Sequence, residues 1–240
     1  MIRTVIALLA LVSPLAAEAA APRHLPTHNV QRPPFADWTK VVSLTPDGGI
    51  RMGNPNAKVK LVEFSSFTCP HCAAFATEGF TPLTQKYVKG GQVSFEVRSA
   101  LRDAIDLSVA LAVRCVAPPR YFAAFEAVMG SQQDWFPKAI DYINANRDKL
   151  NSTDDTPAIH ALLANVGVEA TLAKQGVTPA ALDKCLASKP AEDILQKTTN
   201  DAWNVKHISG TPGFFINDAA QPDIHGWAQL EPAIQTAIKG

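Results

Sequence analysis

The pattern of apolar and polar positions favours strands over residues 41–100. Val41–Leu44 and Ile50–Met52 flank the turn sequence Pro-Asp-Gly-Gly, while Val59–Phe64 and Val93–Val97 are short runs rich in β-forming residues. Apolar runs around a turn of this kind are typical of a β-hairpin. The pattern therefore predicts a hairpin and two further strands, with Val59–Phe64 at the centre of the sheet.

One helix is predicted between the last two of these strands. Residues 73–87 carry aromatic and leucine side chains at roughly helical spacing, and Pro82 within this stretch is expected to kink the helix. Gly90-Gly91 is expected to end it.

Residues 101–200 show a helical pattern throughout. Leu107, Leu111 and Cys115 share one helix face, and comparable amphipathic stretches follow. Thr178-Pro179 predicts a helix start, with threonine as the N-cap and proline at the first helical position.

The last forty residues return to mixed character. A helix is expected to end before the break at residues 210–213, and Phe214–Asn217 is predicted to be a strand. Asp218–Asp223 is expected to connect it to a short edge strand at Ile224–Gly226, and Leu230–Ile238 to form a closing helix.

This order of elements is the one that a thioredoxin fold with a large helical insertion would give. We therefore predict an α/β protein in which residues 38–100 and 201–240 form a thioredoxin-like domain. Residues 101–200 are predicted to form an inserted helical domain.

The first residues have the features of an export signal. Arg3 precedes an uncharged apolar run, and Ala17-Glu18-Ala19 is a small-x-small cleavage pattern, so residues 1–19 are predicted to be a cleaved signal peptide. An uncleaved membrane anchor is the alternative, but the apolar run is shorter than the ~20 residues that span a bilayer. Residues 20–37 are rich in proline and are expected to be a linker.

Composition indicates an ordinary globular protein. The 240 residues are 47% hydrophobic and 18% charged, and 22 basic residues balance 22 acidic ones. Since the net charge is zero, no basic surface for nucleic acid is expected.

The chemistry is concentrated in four cysteines: Cys69, Cys72, Cys115 and Cys185. Export leads to an oxidising compartment, where cysteines form disulfides or take part in redox reactions. Of the three pairings that four cysteines allow, the close spacing of Cys69-Pro70-His71-Cys72 favours a bond within that motif. Cys115 is then left to pair with Cys185.

A CxxC motif at a helix start suits thiol-disulfide exchange. Cys69 is predicted to be an exposed nucleophile whose anion the helix N-terminus stabilises, and Cys72 to be the shielded resolving thiol. Pro70 would stiffen the turn, and His71 would stabilise the Cys69 thiolate by charge or by hydrogen bonding.

Two other uses of the motif are considered. A structural zinc site needs four ligands, and the chain has no second CxxC, so no metal is predicted. Haem attachment would need a histidine where Ala73 stands. The redox-active Cys69–Cys72 disulfide is therefore expected to act without a further cofactor.

Two segments together resemble the DsbA family of periplasmic disulfide oxidoreductases. These are Val62–Cys72 and Gly210–Asn217, and the similarity runs from about residue 41 to the end of the chain. The resemblance implies that Thr211-Pro212 forms a cis-proline loop that binds extended substrate.

The resemblance also assigns roles to residues outside the motif. It implies that Glu63 is a buried acid which exchanges a proton with Cys72; the alternative is a glutamate that faces solvent. The spacing of Cys115 and Cys185 is similar to that of a second disulfide in some alphaproteobacterial members, which is expected to be structural.

The expected function is that of a periplasmic oxidase which introduces disulfides into reduced or unfolded exported proteins. The family implies a DsbB-like, quinone-linked membrane partner, and a monomer is expected. Thr211 departs from the valine of the best-known oxidases and resembles the isomerases, so an isomerase or reductase is the first alternative. A non-catalytic binding or holdase module is the second.

Overall fold

The computed structural model describes residues 37–146 and 156–240. The predicted signal peptide and the predicted linker, apart from Asp37, lie outside the described residues. Helices and strands alternate as the α/β prediction requires.

The centre of the fold is a sheet of six strands in the order β1-β2-β4-β3-β5-β6. β3 and β4 are parallel, and the other neighbouring strands are antiparallel. The strands are β1 (Val42–Leu44), β2 (Ile50–Gly53), β3 (Val59–Ser65), β4 (Val93–Ser99), β5 (Gly213–Ile216) and β6 (Ala219–Ala220). β3 pairs with both β4 and β5, so the run predicted to be central does lie inside the sheet.

Helices surround this sheet. They are α1 (Pro70–Glu78), α2 (Phe80–Leu83), α3 (Ala104–Arg114), α4 (Tyr121–Gly130), α5 (Gln132–Ala145), α6 (Thr156–Asn165), α7 (Val168–Ala173), α8 (Pro179–Leu186), α9 (Lys189–Asn200) and α10 (Trp227–Lys239). A π-helical turn follows α2 at Thr84–Val88 and another follows α9 at Asp201–Val205, while Trp38–Lys40 and Pro118–Arg120 are 3-10 turns.

The first hairpin is confirmed, with Val42 opposite Met52 and Leu44 opposite Ile50. Its turn needs glycine because Gly48 has a φ of 90°, a left-handed conformation that other residues rarely adopt. The helix start at Thr178 is also confirmed, since the Thr178 side chain accepts a hydrogen bond from the Ala181 amide at 3.2 Å.

The predicted single helix over residues 73–87 is wrong in one respect. α1 ends at Glu78 and α2 begins at Phe80, so the break lies at Gly79 and not at Pro82. Because proline has no amide hydrogen for the carbonyl four residues earlier, Pro82 accounts for a break after Glu78. Pro82 lies in the first turn of α2, where a missing amide hydrogen costs little.

The second hairpin also differs from its prediction. Asn217 and Asp218 have φ values of 48° and 66° and make a two-residue turn, after which Ala219–Ala220 pairs with β5. Asparagine and aspartate tolerate the left-handed region, which this tight hairpin turn requires. The edge strand expected at Ile224–Gly226 is therefore absent, since those residues are not in a strand.

Between β4 and β5 the described residues form helices and turns only, as the helical insertion requires. One continuous hydrophobic cluster includes Leu61 and Phe95 from the sheet as well as Leu163 and Leu182 from the insertion. The exact division into two domains stays a prediction. Among the described helices, none has the length and hydropathy that a membrane span requires.

Candidate active site

Strand pairing brings two distant segments together at one end of the sheet. In β3 and β5, Phe64 lies opposite Gly213, and Val62 opposite Phe215. The loop that follows β3 leads to Cys69, and the residues that precede β5 are Thr211 and Pro212. This register places the predicted substrate loop beside the predicted nucleophile.

Cys69 is the N-cap of α1, and Pro70 occupies the first helical position. The peptide bond between Thr211 and Pro212 is cis. The Cys69 thiol donates a hydrogen bond to the Thr211 carbonyl oxygen at 3.0 Å. Cys69 and Cys72 are free thiols in the structure.

The expectation that Cys69 is exposed is wrong. Only 3% of this residue is accessible to solvent, against 0% of Cys72. The cis-proline loop covers the sulfur, as the contact with the Thr211 carbonyl shows.

Local hydrogen bonding favours the Cys69 thiolate. A hydrogen bond from the Cys72 thiol outweighs the opposing effect of burial and lowers the pKa of Cys69 to about 5, and the Thr211 side chain and the amides of Cys72 and His71 act in the same direction. Thr211 thus acts in two ways, because its carbonyl oxygen accepts from the protonated thiol whereas its side chain favours the anion.

Cys72 has the opposite preference. Burial raises the pKa of Cys72 well above its usual value, and its hydrogen bond to Cys69 and the charge of Glu63 add to the rise. Two thiols of one motif therefore differ strongly in acidity, so Cys69 is the better leaving group and the anionic form at neutral pH.

Glu63 is completely buried in β3, so the solvent-facing alternative is wrong. Neither of its carboxylate oxygens has a hydrogen-bond partner among the residues that the structure describes. Burial raises the pKa of Glu63 to about 8, and the nearby Ser65 side chain opposes the rise without forming a hydrogen bond of normal geometry. A carboxyl group with this pKa can both take and return a proton near neutral pH.

Pro70 and His71 are exposed at the start of α1. The part of His71 that favours the Cys69 thiolate in the structure is its backbone amide. A tuning role for the imidazole stays a prediction.

A cavity of about 200 Å³ adjoins the cis-proline loop. Thr211 and Pro212 form one side of it, and His207 and His225 also line it. The cavity therefore lies on the loop that contacts Cys69.

The structure adds polar residues that the sequence pattern did not single out. Asp106 in α3 accepts a hydrogen bond from the Phe67 amide at 2.8 Å, and burial raises the pKa of Asp106 to about 6. Gln132 in α5 donates to the carbonyl oxygens of Phe67 and Cys69. The order Asp103, Asp106 before an apolar run is a capping signal, whereas nothing in the sequence marks Gln132.

Cys115 and Cys185 do not belong to this site. They form a disulfide between the end of α3 and α8, across a sequence separation of 70 residues. In the part of the chain that the structure describes, no cluster of three or more histidine, cysteine or acidic side chains could hold a metal ion.

The arrangement can therefore perform thiol-disulfide exchange. An acidic thiol contacts the cis-proline loop, a second thiol lies one helical turn away, and a buried acid influences the second thiol. These are the parts that attack on a disulfide, resolution of the mixed disulfide and proton transfer require.

Comparisons with known proteins agree with this chemistry. The thioredoxin family model matches residues 45–236. A Rickettsia felis protein whose name describes it as a protein-disulfide oxidoreductase is 29% identical over 89% of this chain and 69% of its own length.

Two solved structures are also similar. A protein described as a protein-disulfide isomerase of Novosphingobium aromaticivorans is 34% identical, with a TM-score of 0.73 over 81% of this chain and 99% of that chain. Alpha-DsbA1 of Wolbachia pipientis has a TM-score of 0.60 at 22% identity, over 79% of this chain and 90% of that chain, and so supports the fold. The chain belongs to the thioredoxin family and is a DsbA-like disulfide oxidoreductase.

Proposed function

We propose that the protein is a dithiol oxidase of exported proteins, which acts through Cys69 and Cys72. A client thiolate attacks Cys69 in the oxidised enzyme and forms a mixed disulfide, while Cys72 leaves with the electron pair. A second client thiolate then attacks the client sulfur, and Cys69 leaves as a thiolate. The client gains a disulfide, and the enzyme gains two electrons and becomes a dithiol.

The observation that carries this proposal is the position of Cys69, which is the N-cap of α1 and bonds to the carbonyl oxygen of Thr211 before the cis-proline at 3.0 Å. The surroundings of Cys69 lower its pKa to about 5. Whatever stabilises the thiolate stabilises the reduced enzyme, and a stabilised reduced form makes the disulfide a stronger oxidant. Glu63 would take up and return the proton of Cys72, and Thr211 and Pro212 would hold the client chain beside Cys69.

Export and a redox partner complete the proposal. Residues 1–19 would direct the chain to the periplasm, where clients are reduced or unfolded exported proteins. A DsbB-like membrane oxidoreductase would accept the two electrons and pass them to quinone. The enzyme would work as a monomer, with the cysteine pair as its redox group and no further cofactor.

The test is the reduction potential of the Cys69–Cys72 pair, measured by equilibration with glutathione. We expect a potential well above the about −270 mV of thioredoxin. A potential at the thioredoxin value would contradict the oxidase proposal.

An isomerase or reductase is the second candidate, and Thr211 before the cis-proline favours it. The relative at 34% identity is itself described as an isomerase. Oxidation of a fully reduced client and repair of a client with scrambled disulfides separate the two activities. The oxidase proposal requires the first activity to exceed the second. Because the chain is a disulfide oxidoreductase, the non-catalytic binding module is not retained.

A further inference from the structure

The active-site loop, residues 66–69, joins β3 to α1 and is buried along its whole length. The backbone amide and carbonyl groups of a buried loop need hydrogen-bond partners, which the loop cannot obtain from the regular pairing of a helix or a sheet. Side chains from the helical insertion satisfy several of these groups, so the insertion is in direct contact with the segment that carries the nucleophile.

Gln132 makes the contact nearest to the nucleophile. Its side-chain amide nitrogen donates to the Phe67 carbonyl oxygen at 2.6 Å and to the Cys69 carbonyl oxygen at 2.9 Å. Gln132 itself is only 3% exposed. A buried amide is costly unless its hydrogens are bonded, and here one nitrogen satisfies two loop carbonyls.

These two bonds hold carbonyl oxygens in the segment that carries the sulfur. The Cys69 carbonyl oxygen is held by Gln132 and by the Ala73 amide at 3.2 Å. With the carbonyl held in this way, the amides of His71 and Cys72 are the backbone groups that act on the Cys69 sulfur. Carbonyl oxygens near the sulfur would oppose the thiolate, whereas amide hydrogens favour it.

Other insertion residues restrain the same loop. The Asp106 carboxylate accepts from the Phe67 amide at 2.8 Å, and the Phe67 ring packs edge-on against Phe125 with centroids 5.5 Å apart. The Thr68 hydroxyl donates to Asp103 at 2.9 Å. Arg102 donates to the Thr68 carbonyl oxygen at 3.2 Å, and among the described side-chain contacts from the insertion that of Gln132 is the one on the Cys69 carbonyl oxygen.

We propose that Gln132 is a positioning residue for disulfide exchange: its side-chain amide holds the Cys69 and Phe67 carbonyls so that the amides of the following turn face the Cys69 sulfur. This proposal rests on the proposed function, because it treats Cys69 as the exchanging thiol. It assigns to the inserted helices a part in the acidity of the nucleophile.

The test compares Gln132→Met with Gln133→Met. Methionine keeps the length and volume of glutamine but has no donor, and Gln133 is an exposed neighbour in the same helix turn, which makes it a matched control. The alkylation rate of Cys69 with iodoacetamide is measured against pH in each reduced full-length variant, together with the equilibrium with glutathione.

We expect Gln132→Met to raise the apparent pKa of Cys69 by about one unit, the size of one lost hydrogen bond. Alkylation at pH 4.5 would then be about tenfold slower, and the equilibrium with glutathione would shift about tenfold towards the oxidised enzyme. Gln133→Met is expected to match the parent protein.

Gln132→Leu is the second variant, in case methionine prevents folding. Leucine also has no donor and adds no charge, so we expect a rise in the Cys69 pKa similar to that with methionine. A purely structural role would lower the stability of the reduced and oxidised forms equally and would leave pKa and potential unchanged. That result in either folded variant overturns the proposal.

The parent protein separates this proposal from the function on which it rests. If Cys69 of the parent is not alkylated at acidic pH, Cys69 is not an acidic thiol and the oxidase proposal fails. If the parent reacts at acidic pH and the Gln132 variants react identically, the positioning role alone fails.

Discussion

At the scale of single residues, the acidity of Cys69 depends on its neighbour Cys72. The Cys72 thiol donates to Cys69 and makes it acidic, and the same bond helps to hold the proton on Cys72. The low pKa of Cys69 and the high pKa of Cys72 thus have one interaction as a common cause. The sequence motif names the pair, but the difference in acidity comes from burial and from the direction of this hydrogen bond.

Substitution of Cys72 tests the direction of this bond. Serine retains a hydroxyl donor and alanine does not, so we expect Cys72→Ala to raise the pKa of Cys69 by about one unit more than Cys72→Ser does. The measurement is the pH dependence of Cys69 alkylation in the two variants. Equal values would show that the bond from residue 72 is not the main cause of the acidity.

Glu63 links the pH to stability. Its folded pKa of about 8 exceeds its usual value of 4.5, so its stabilising contribution is complete below about pH 4.5 and is lost as the pH rises through 8. We expect the free energy of unfolding of the parent to fall relative to that of Glu63→Gln over this range, by at most roughly 5 kcal/mol.

Urea unfolding at several pH values measures this difference. The exposed Glu78→Gln is the matched control and is expected to follow the parent at every pH. A constant difference between the parent and Glu63→Gln would mean that Glu63 is ionised throughout. Glu63→Gln is also expected to slow the formation of the mixed disulfide, because glutamine cannot give a proton to Cys72 as it leaves.

At the scale of secondary-structure elements, α3 connects the active-site loop to the second disulfide. Its N-terminal residues Asp103 and Asp106 bind the active-site loop, and Cys115 at its C-terminal end is bonded to Cys185 of α8. Eleven helical residues separate these ends, a length of roughly 16 Å. The disulfide therefore ties helices together without touching the reacting thiols.

We expect the double variant Cys115→Ala, Cys185→Ala to lose stability without losing reactivity. Opening a loop of this length costs up to roughly 4 kcal/mol in the chain-entropy model. Urea unfolding of the oxidised protein measures the loss, and the alkylation profile of Cys69 should remain that of the parent. A shifted profile would show that the second disulfide influences the active site.

The elements that the sequence predicted well are those with a clear period or a clear capping signal. The first hairpin, the strand before Cys69 and the helix that begins at Pro179 are of this kind. The second hairpin was misplaced because the turn signal of Asn217-Asp218 is weaker than that of a glycine pair.

The site itself could be predicted only as far as its motifs extend. Gln132 binds residues that lie 65 and 63 positions earlier in the chain. A hydrophobic pattern does not tell which polar side chain will be buried, so this contact needs the three-dimensional structure. The burial of Cys69 was missed for the same reason, since the covering loop is 142 residues away.

At the scale of the whole molecule, the acidity of Cys69 couples folding to redox state. The folded pKa of about 5 lies below the usual value of 9.0, so the contribution of the thiolate is complete above about pH 9 and is lost as the pH falls through 5. The oxidised enzyme has no thiolate and lacks this contribution.

We therefore expect the stability of the reduced form, relative to the oxidised form, to rise between pH 4.5 and pH 7.5. Parallel urea titrations of the two forms give this difference directly. Cys69→Ser, which has no thiolate, should remove from the reduced protein the part of the pH dependence that the thiolate contributes, and should leave the part that Glu63 contributes. A difference that does not change with pH would contradict an acidic Cys69.

The hydrogen bonds from the insertion to residues 66–69 limit how far such an enzyme can be shortened. Joining residue 100 directly to residue 201 would preserve every described strand of the sheet and the whole CPHC motif. It would also delete Asp106, Phe125 and Gln132, and water would enter where these side chains now seal the loop. A protein shortened in this way would keep the four residues of the CPHC motif but place them in a more polar environment. Transfer of the motif to another protein therefore requires transfer of these helices as well.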